Sequence, residues 1–252
     1  MKIITLYTYS CILLVLLSLG PITPSFAEKA EGTITLNVDL SAQPLEKPVR
    51  LWLPYPTSDQ NQDITKIMLS GNYSTSAVYT DKKFGTPMLY AEWDPGSSNR
   101  CLTLMFDAKR EEIVRPAWSN QPVPWNPADH ELYLQSTKNA PLTDDIQQLA
   151  DRITANKNGV IEKARAIYDW TVDNTYRNPE TRGCGTGDVC TLLKDPGGKC
   201  ADISSIYIAL CRAAGIPSRE VLGIRMGKTS EQDITTWQHC WVEFHLPGTG
   251  WI

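Results

Sequence analysis

The first half of the chain alternates apolar and polar positions in a way that predicts β-strands. Residues 33–40 alternate with a period of two, which is typical of a half-buried strand. Comparable runs follow at residues 49–53, 88–93 and 101–106, separated by clusters of Pro, Gly, Asn and Ser. Several short strands with turn residues between them indicate a small antiparallel β-sandwich domain, which we assign to residues 28–115.

In the second half, apolar residues recur at helical intervals instead of at every second position. This change predicts a second domain over residues 141–252. Apolar residues recur at helical intervals after Thr143, a predicted N-cap, and again over residues 160–176. A third helical pattern begins at Cys200, and two strand-like runs follow it. This combination indicates an α+β domain. Residues 116–140 are rich in Pro and Trp, so they predict an extended linker between the two domains.

Cys200 is the candidate nucleophile because it is predicted to lie at the N-terminus of a helix. Gly197-Gly198-Lys199 precedes it, and apolar residues then repeat at helical spacing until Gly215-Ile216-Pro217 ends the pattern. The unpaired N–H groups and the positive end of the helix dipole favour an anion there, so the pKa of the thiol is expected to fall. The backbone N–H of Cys200 is expected to supply part of an oxyanion site.

A thiol nucleophile needs a base, and the chain contains three histidines, His130, His239 and His245. Alternation along the last long strand puts His239 and Cys240 on opposite faces. We expect the His239 face to point at the helix that carries Cys200, which makes His239 the candidate base of a thiolate and imidazolium pair. His130 and His245 are expected to be ordinary packed or surface residues.

Four segments in order resemble the core of the transglutaminase-like superfamily. They are residues 198–202 around the cysteine, 214–219, 239–243 and 248–251. The resemblance covers residues 141–252. It implies a papain-like α+β fold and acyl transfer through a thioester, with Cys200 as nucleophile, His239 as general base, a protein or peptide as substrate, and no cofactor. The chain also resembles exported bacterial members that carry a β-rich domain ahead of this core.

The resemblance is incomplete at one position. In the superfamily an Asp follows the Gly-x-Gly-Trp segment by a few residues and orients the histidine, and this sequence ends at Ile252, directly after Trp251. Glu243 is a poor substitute, because it lies on the same strand as His239 and only two residues away. We interpret the chain as incomplete at its C-terminus. Two interpretations stay open: a thiol enzyme acting on peptide or isopeptide bonds by hydrolysis or transfer, which we favour, and a weak or inactive binding module.

The first 27 residues have the pattern of a secretory signal peptide. Lys2 gives a positive start, residues 12–19 are almost entirely apolar, and small residues precede a cleavage position after Ala27. The apolar run is shorter than the roughly 20 residues of a spanning helix, so we expect cleavage in preference to an uncleaved anchor. The mature protein is expected to be periplasmic or secreted, without a stable membrane span.

Export also changes what is expected of the cysteines. Disulfides form outside the cytoplasm, and Cys184 and Cys190 close a short glycine-containing loop, so they are the first candidates for a bridge. A structural zinc site using these two with Cys200 and His239 is the competing interpretation, but no Cys-x-x-Cys pair supports it, and we expect no metal. A net charge of −4 without a cluster of Lys and Arg argues against nucleic acid as a partner.

Overall fold

The computed structural model of the protein describes residues 29–113, 123–227 and 229–252. The predicted signal peptide, residues 1–27, and the first part of the predicted linker lie outside the described residues. Within the described ranges, every helix is too short or too polar to cross a membrane.

The described N-terminal half is built from six strands: β1 (Lys29–Asp39), β2 (Val49–Pro54), β3 (Gln62–Gly71), β4 (Thr75–Thr80), β5 (Pro87–Trp93) and β6 (Cys101–Glu111). They form two three-stranded sheets with the orders β1-β6-β3 and β2-β5-β4. All neighbouring strands in the two sheets are antiparallel. The predicted antiparallel β-sandwich is confirmed.

The core of the sandwich lies between the inner faces of the two sheets. β5 and β6 contribute every second side chain to it, as the period of two in the sequence predicted. The buried members of this core are Leu89, Ala91, Trp93, Leu102, Leu104, Phe106 and Ala108. Met226 from the C-terminal half packs against the same cluster, so the two halves of the chain are in contact there.

The described C-terminal half contains both helices and strands: α1 (Asp144–Ile153), α2 (Gly159–Asn174), β7 (Tyr176–Arg177), α3 (Val189–Leu192), β8 (Gly197–Gly198), α4 (Cys200–Ala213), β9 (Ser218–Ile224), β10 (Gln238–Leu246) and β11 (Gly250–Trp251). β10 is the central strand of an antiparallel sheet with β9 and β11 as its neighbours, and β7 pairs with β8 in parallel. The predicted α+β class is confirmed.

Helix α4 occupies the centre of this half. It contacts α1, α2 and α3, and it also contacts β9 and β10. Three of its side chains, Ile206, Leu210 and Cys211, are at most 1% exposed. The hydroxyl of Tyr207 donates a hydrogen bond to the carbonyl oxygen of Ala164 in α2 at 3.2 Å. The N-terminus of α4 is therefore held in a fixed position relative to the other helices.

The described part of the predicted linker is not extended throughout, because a 3₁₀ helix forms at Pro127–Tyr133. The side chain of Asn126 accepts a hydrogen bond from the N–H of Ala128 at 3.1 Å, and a proline at the first helical position presets the backbone angle φ. The imidazole of His130 stacks on that of His245 in β10, with ring centroids 3.8 Å apart. This segment therefore packs against the C-terminal sheet.

The central position of α4 makes its buried leucine important for stability. We expect Leu210→Ala to lower the free energy of unfolding by about 2–5 kcal/mol, because a cavity replaces packed methyl groups. Leu222→Ala is the matched control: that leucine is 65% exposed, and we expect a change below about 0.5 kcal/mol. Urea unfolding of both variants measures the difference, and equal effects would contradict the central placement of α4.

Candidate active site

The buried carboxylate of Asp202 organises the chain around the start of α4. One oxygen accepts hydrogen bonds from the N–H groups of Thr186 and Gly187, each at 2.9 Å. The other accepts the N–H of Lys199, the N-cap residue of α4, at 3.1 Å. Asp202 is only 3% exposed, so water cannot replace these bonds. The carboxylate therefore ties residues 183–188, which we call the glycine loop, to the first turn of α4.

Two glycines are required for this approach. A Cβ atom at Gly185 would lie 2.0 Å from Asp202 Oδ2, and one at Gly198 would lie 2.4 Å from Asp202 Cβ. Gly185 also has a φ of +100°, a region that side-chain-bearing residues rarely adopt. The carbonyl oxygen of Cys184, next to Gly185, accepts the N–H of Ala201 at 3.0 Å. The glycine loop and α4 are consequently in direct backbone contact beside Cys200.

Two other thiols, those of Cys184 and Cys240, influence the pKa of the Cys200 thiol. Burial raises the pKa of the Cys200 thiol, but interactions with the thiols of Cys240 and Cys184 and with the N–H groups of Cys240 and Ala201 outweigh burial and lower it. The pKa of Cys184 is raised, first by burial and then by the Cys200 sulfur. Of these two thiols, Cys200 therefore loses its proton first. The predicted lowering of the Cys200 pKa at the helix N-terminus agrees with this environment.

The carboxylate of Glu220 in β9 also reaches the Cys240 thiol. Desolvation raises the pKa of Glu220, the hydrogen bond with Cys240 opposes that rise, and the charge of Asp202 adds to it. The pKa of Cys240 is strongly raised, first by burial and then by Cys200 and Glu220. Cys240 thus stays protonated and can donate its S–H. Sequence reasoning missed Glu220, although alternation along β9 places it on the same face as the buried Ser218.

The face of β10 that points at α4 is the opposite of the one expected from the sequence. Val242 and Phe244 pack against the helical core, and Cys240 is 2% exposed on the same face. His239 and Trp241 share the other face by alternation. The physical reason is that burial of the two apolar side chains stabilises the sheet on the helix, and a strand can bury one face only by turning the other away.

His239 lies one residue from Cys240, near the beginning of β10, and its side chain is half-buried. Among the hydrogen bonds of the described residues, none joins His239 to Cys200. Burial and the charge of Arg225 lower the pKa of His239, so its imidazole is neutral at neutral pH. Glu243 on the same strand is paired with Arg219 at 2.7 Å and is not engaged with the imidazole.

The predicted bridge between Cys184 and Cys190 is not formed. Both thiols are free: Cys190 is exposed on α3, whereas Cys184 interacts with the sulfur of Cys200. In the described part of the chain, no three His, Cys, Asp or Glu side chains are arranged to hold a metal ion, so the zinc interpretation has no ligand set there.

Cys200 lies in a segment whose sequence matches a known protein family. Residues 147–252 match the profile of the transglutaminase-like superfamily. This part of the chain is similar to that superfamily. The matched residues include α4, the C-terminal sheet, and Cys184, Cys200, Glu220 and Cys240.

Two curated proteins are similar in sequence to this chain. The chain is 34% identical over 227 residues to an uncharacterised protein of Haemophilus influenzae, with 80% of this chain and 62% of the relative aligned. It is 28% identical over 136 residues to the uncharacterised protein YebA of Bacillus subtilis, with 48% of this chain and 18% of the relative aligned. The chain therefore spans less than two thirds of the length of either relative.

A solved structure with the same fold comes from Cytophaga hutchinsonii, where the protein has been provisionally described as a cysteine protease. Its TM-score with this chain is 0.62 at 18% identity, and the match covers 90% of this chain and 75% of that one. At this identity the likeness shows the fold alone. It supports the combination of a β-sandwich with a transglutaminase-like domain.

Replacing the buried carboxylate tests its role at the site. We expect Asp202→Asn to lower the free energy of unfolding by about 1–3 kcal/mol, because an amide N–H then faces the N–H of Lys199 or of the glycine loop. Asp188→Asn is the matched control: Asp188 is exposed, it caps the short α3, and Asn is an equally good N-cap. Chemical unfolding of the two variants compares them, and an Asp202→Asn protein as stable as Asp188→Asn would contradict the role.

Proposed function

We propose that the transglutaminase-like domain is a thiol enzyme that breaks amide bonds of proteins or peptides through a Cys200 thioester. The observation that carries the proposal is the environment of Cys200: the sulfur lies at the first residue of a buried helix, among donors that lower its pKa. Where desolvation outweighs the hydrogen bonds to a thiol, its pKa is raised instead, as for the fully buried Cys211, to about 12. Lowering of this kind is typical of a catalytic cysteine.

The proposed reaction has two halves. The Cys200 thiolate attacks the carbonyl carbon, and the backbone N–H of Cys200 stabilises the oxyanion that forms. Collapse of that intermediate releases the amine and leaves an acyl group on the sulfur as a thioester. Water or a second amine then attacks the thioester carbonyl and frees the thiolate. We favour water as the acceptor, because transfer to an amine in an aqueous compartment requires that water be kept away from the thioester.

His239 is proposed as the base on the family pattern. It would take the proton of Cys200 and pass it to the leaving amine, and its lowered pKa keeps the imidazole in the neutral form that accepts a proton. This role requires the ring to come within hydrogen-bond distance of Cys200 when substrate is bound. Because His239 lies on the face of β10 that is turned away from α4, this role requires a rearrangement of the start of β10 and not only the shortening of a long hydrogen bond.

A second candidate function is a binding module that keeps the cleft without turnover. The observation that favours it concerns β10: the residue of this strand that interacts with the Cys200 sulfur is Cys240, and not the proposed base His239. In this case the lowered pKa of Cys200 would be a by-product of packing. The two candidates differ in whether the thiolate depends on the imidazole of His239.

The pH dependence of alkylation measures the thiolate directly. An ordinary thiol has a pKa of about 8.5, so its reaction with iodoacetamide falls about tenfold for each pH unit below that value. Because the pKa of Cys200 is lowered, we expect its reaction to persist at pH values where alkylation of the exposed Cys190 has declined. Peptide mass spectrometry reports both sites in one sample, and parallel profiles for the two residues would remove the basis of the enzyme proposal.

Replacement of the proposed base separates the two functions. If His239 forms an ion pair with Cys200, His239→Ala should shift the alkylation profile of Cys200 to higher pH, because the imidazolium no longer stabilises the thiolate. His130→Ala removes a different imidazole of the same chain and should leave the profile in place. An unchanged profile in both variants would favour the binding module.

A further inference from the structure

We propose that Cys184 and Cys200 form a reversible disulfide, which stores the nucleophile in an oxidised form. The N–H of Ala201 donates a 3.0 Å hydrogen bond to the carbonyl oxygen of Cys184, which holds the backbone of Cys184 beside the residue that follows Cys200. In agreement with this placement, the Cys200 thiol adds to the effect of burial in raising the pKa of Cys184. This modification site goes beyond the proposed function, because it needs the thiolate of Cys200 but no turnover.

Cys184 is a better partner for Cys200 than Cys240 is. Cys184 is partly exposed, and the glycines on both sides of it, Gly183 and Gly185, have φ values of +60° and +100°. Cys184 lies in a turn and not in a paired strand, so closing a disulfide there breaks no strand pairing. Cys240 is 2% exposed and held in β10 opposite Leu222, so its backbone cannot shift without breaking the strand pairing.

The chemistry requires a two-electron oxidant, and a peroxide is the class we propose. The Cys200 thiolate attacks one oxygen of hydrogen peroxide, which breaks the O–O bond, releases hydroxide and leaves a sulfenic acid on Cys200. The Cys184 sulfur then attacks the Cys200 sulfur, and the S–OH bond breaks to give the disulfide and water. Two thiols are oxidised, and one peroxide is reduced to two waters. An external dithiol reverses the step by exchange.

The disulfide would protect the nucleophile from irreversible damage. A sulfenic acid without a neighbouring thiol reacts with a second peroxide and becomes a sulfinic acid, which ordinary thiols do not reduce. With Cys184 in contact, condensation competes with that second oxidation. The oxidised protein lacks a free Cys200 thiolate and is inactive until it is reduced.

The test treats the full chain with hydrogen peroxide, digests it with trypsin without reduction, and identifies linked peptides by mass spectrometry. We expect a link between the peptides of Cys184 and Cys200 that dithiothreitol removes. Fragmentation must assign the sulfurs, because Cys190 and Cys211 lie in the same two tryptic peptides. Cys190→Ser is the matched control, since it keeps the peptide and should keep the link.

Removal of the proposed partner gives the deciding result. We expect Cys184→Ser to lose the link and to accumulate Cys200 sulfinic acid at least about tenfold more than the unaltered chain, because no thiol intercepts the sulfenic acid. Cys184→Ala provides a second variant if serine disturbs the loop, and circular dichroism checks that each is folded. A link from Cys200 to Cys240, or equal sulfinic acid with and without Cys184, would overturn the proposal.

These results are distinguishable from a failure of the proposed function. Peroxide and iodoacetamide both report the thiolate of Cys200, but only the peroxide experiment depends on Cys184. A chain with an acid-shifted alkylation profile and no Cys184 link would keep the thiol enzyme and reject the disulfide. A chain with the link and an ordinary alkylation profile would keep the disulfide and reject the thiol enzyme.

Discussion

The site depends on one buried carboxylate, that of Asp202. Its two oxygens accept three backbone N–H groups from separate parts of the chain, the glycine loop and the N-cap of α4. In a protein interior each of these N–H groups would be destabilising without a partner. The carboxylate therefore decides where the glycine loop lies. Since the loop carries Cys184, that same interaction also decides which thiol lies beside Cys200.

The rest of the domain holds the helix that carries this carboxylate. α4 is packed against the other helices on one side and against β9 and β10 on the other, and most of its apolar side chains are buried. Packing buries residues 206–211 of α4, whereas Cys200 in the first turn is only partly buried. The Cys200 thiol is therefore partly desolvated, which raises its pKa, and hydrogen-bond donors surround it, which lower its pKa. The effect of the donors is the larger one.

Much of the fold could be predicted from the sequence, because local periodicity reports strands and helices directly. The alternation at residues 101–106 placed β6, and the glycines before Cys200 marked the start of α4. The orientation of β10 was predicted wrongly, since alternation separates two faces without saying which one is buried; Val242 and Phe244 decide that. The neighbours of Cys200 were not predictable either, because the position of Cys184 depends on hydrogen bonds to Asp202 that close a loop between distant residues.

A cation, Arg212, lies near the C-terminus of α4, opposite the anion Asp202 near its N-terminus. The guanidinium of Arg212 donates to the carbonyl oxygen of Ser218 at 2.8 Å and to that of Gln135 at 3.1 Å, so a cation sits at the negative end of the helix dipole. Charges that are largely withdrawn from solvent are weakly screened by dissolved ions. The charges at the two ends of α4 are thus held by hydrogen bonds within the protein, and dissolved salt weakens their interaction with the helix dipole only slightly.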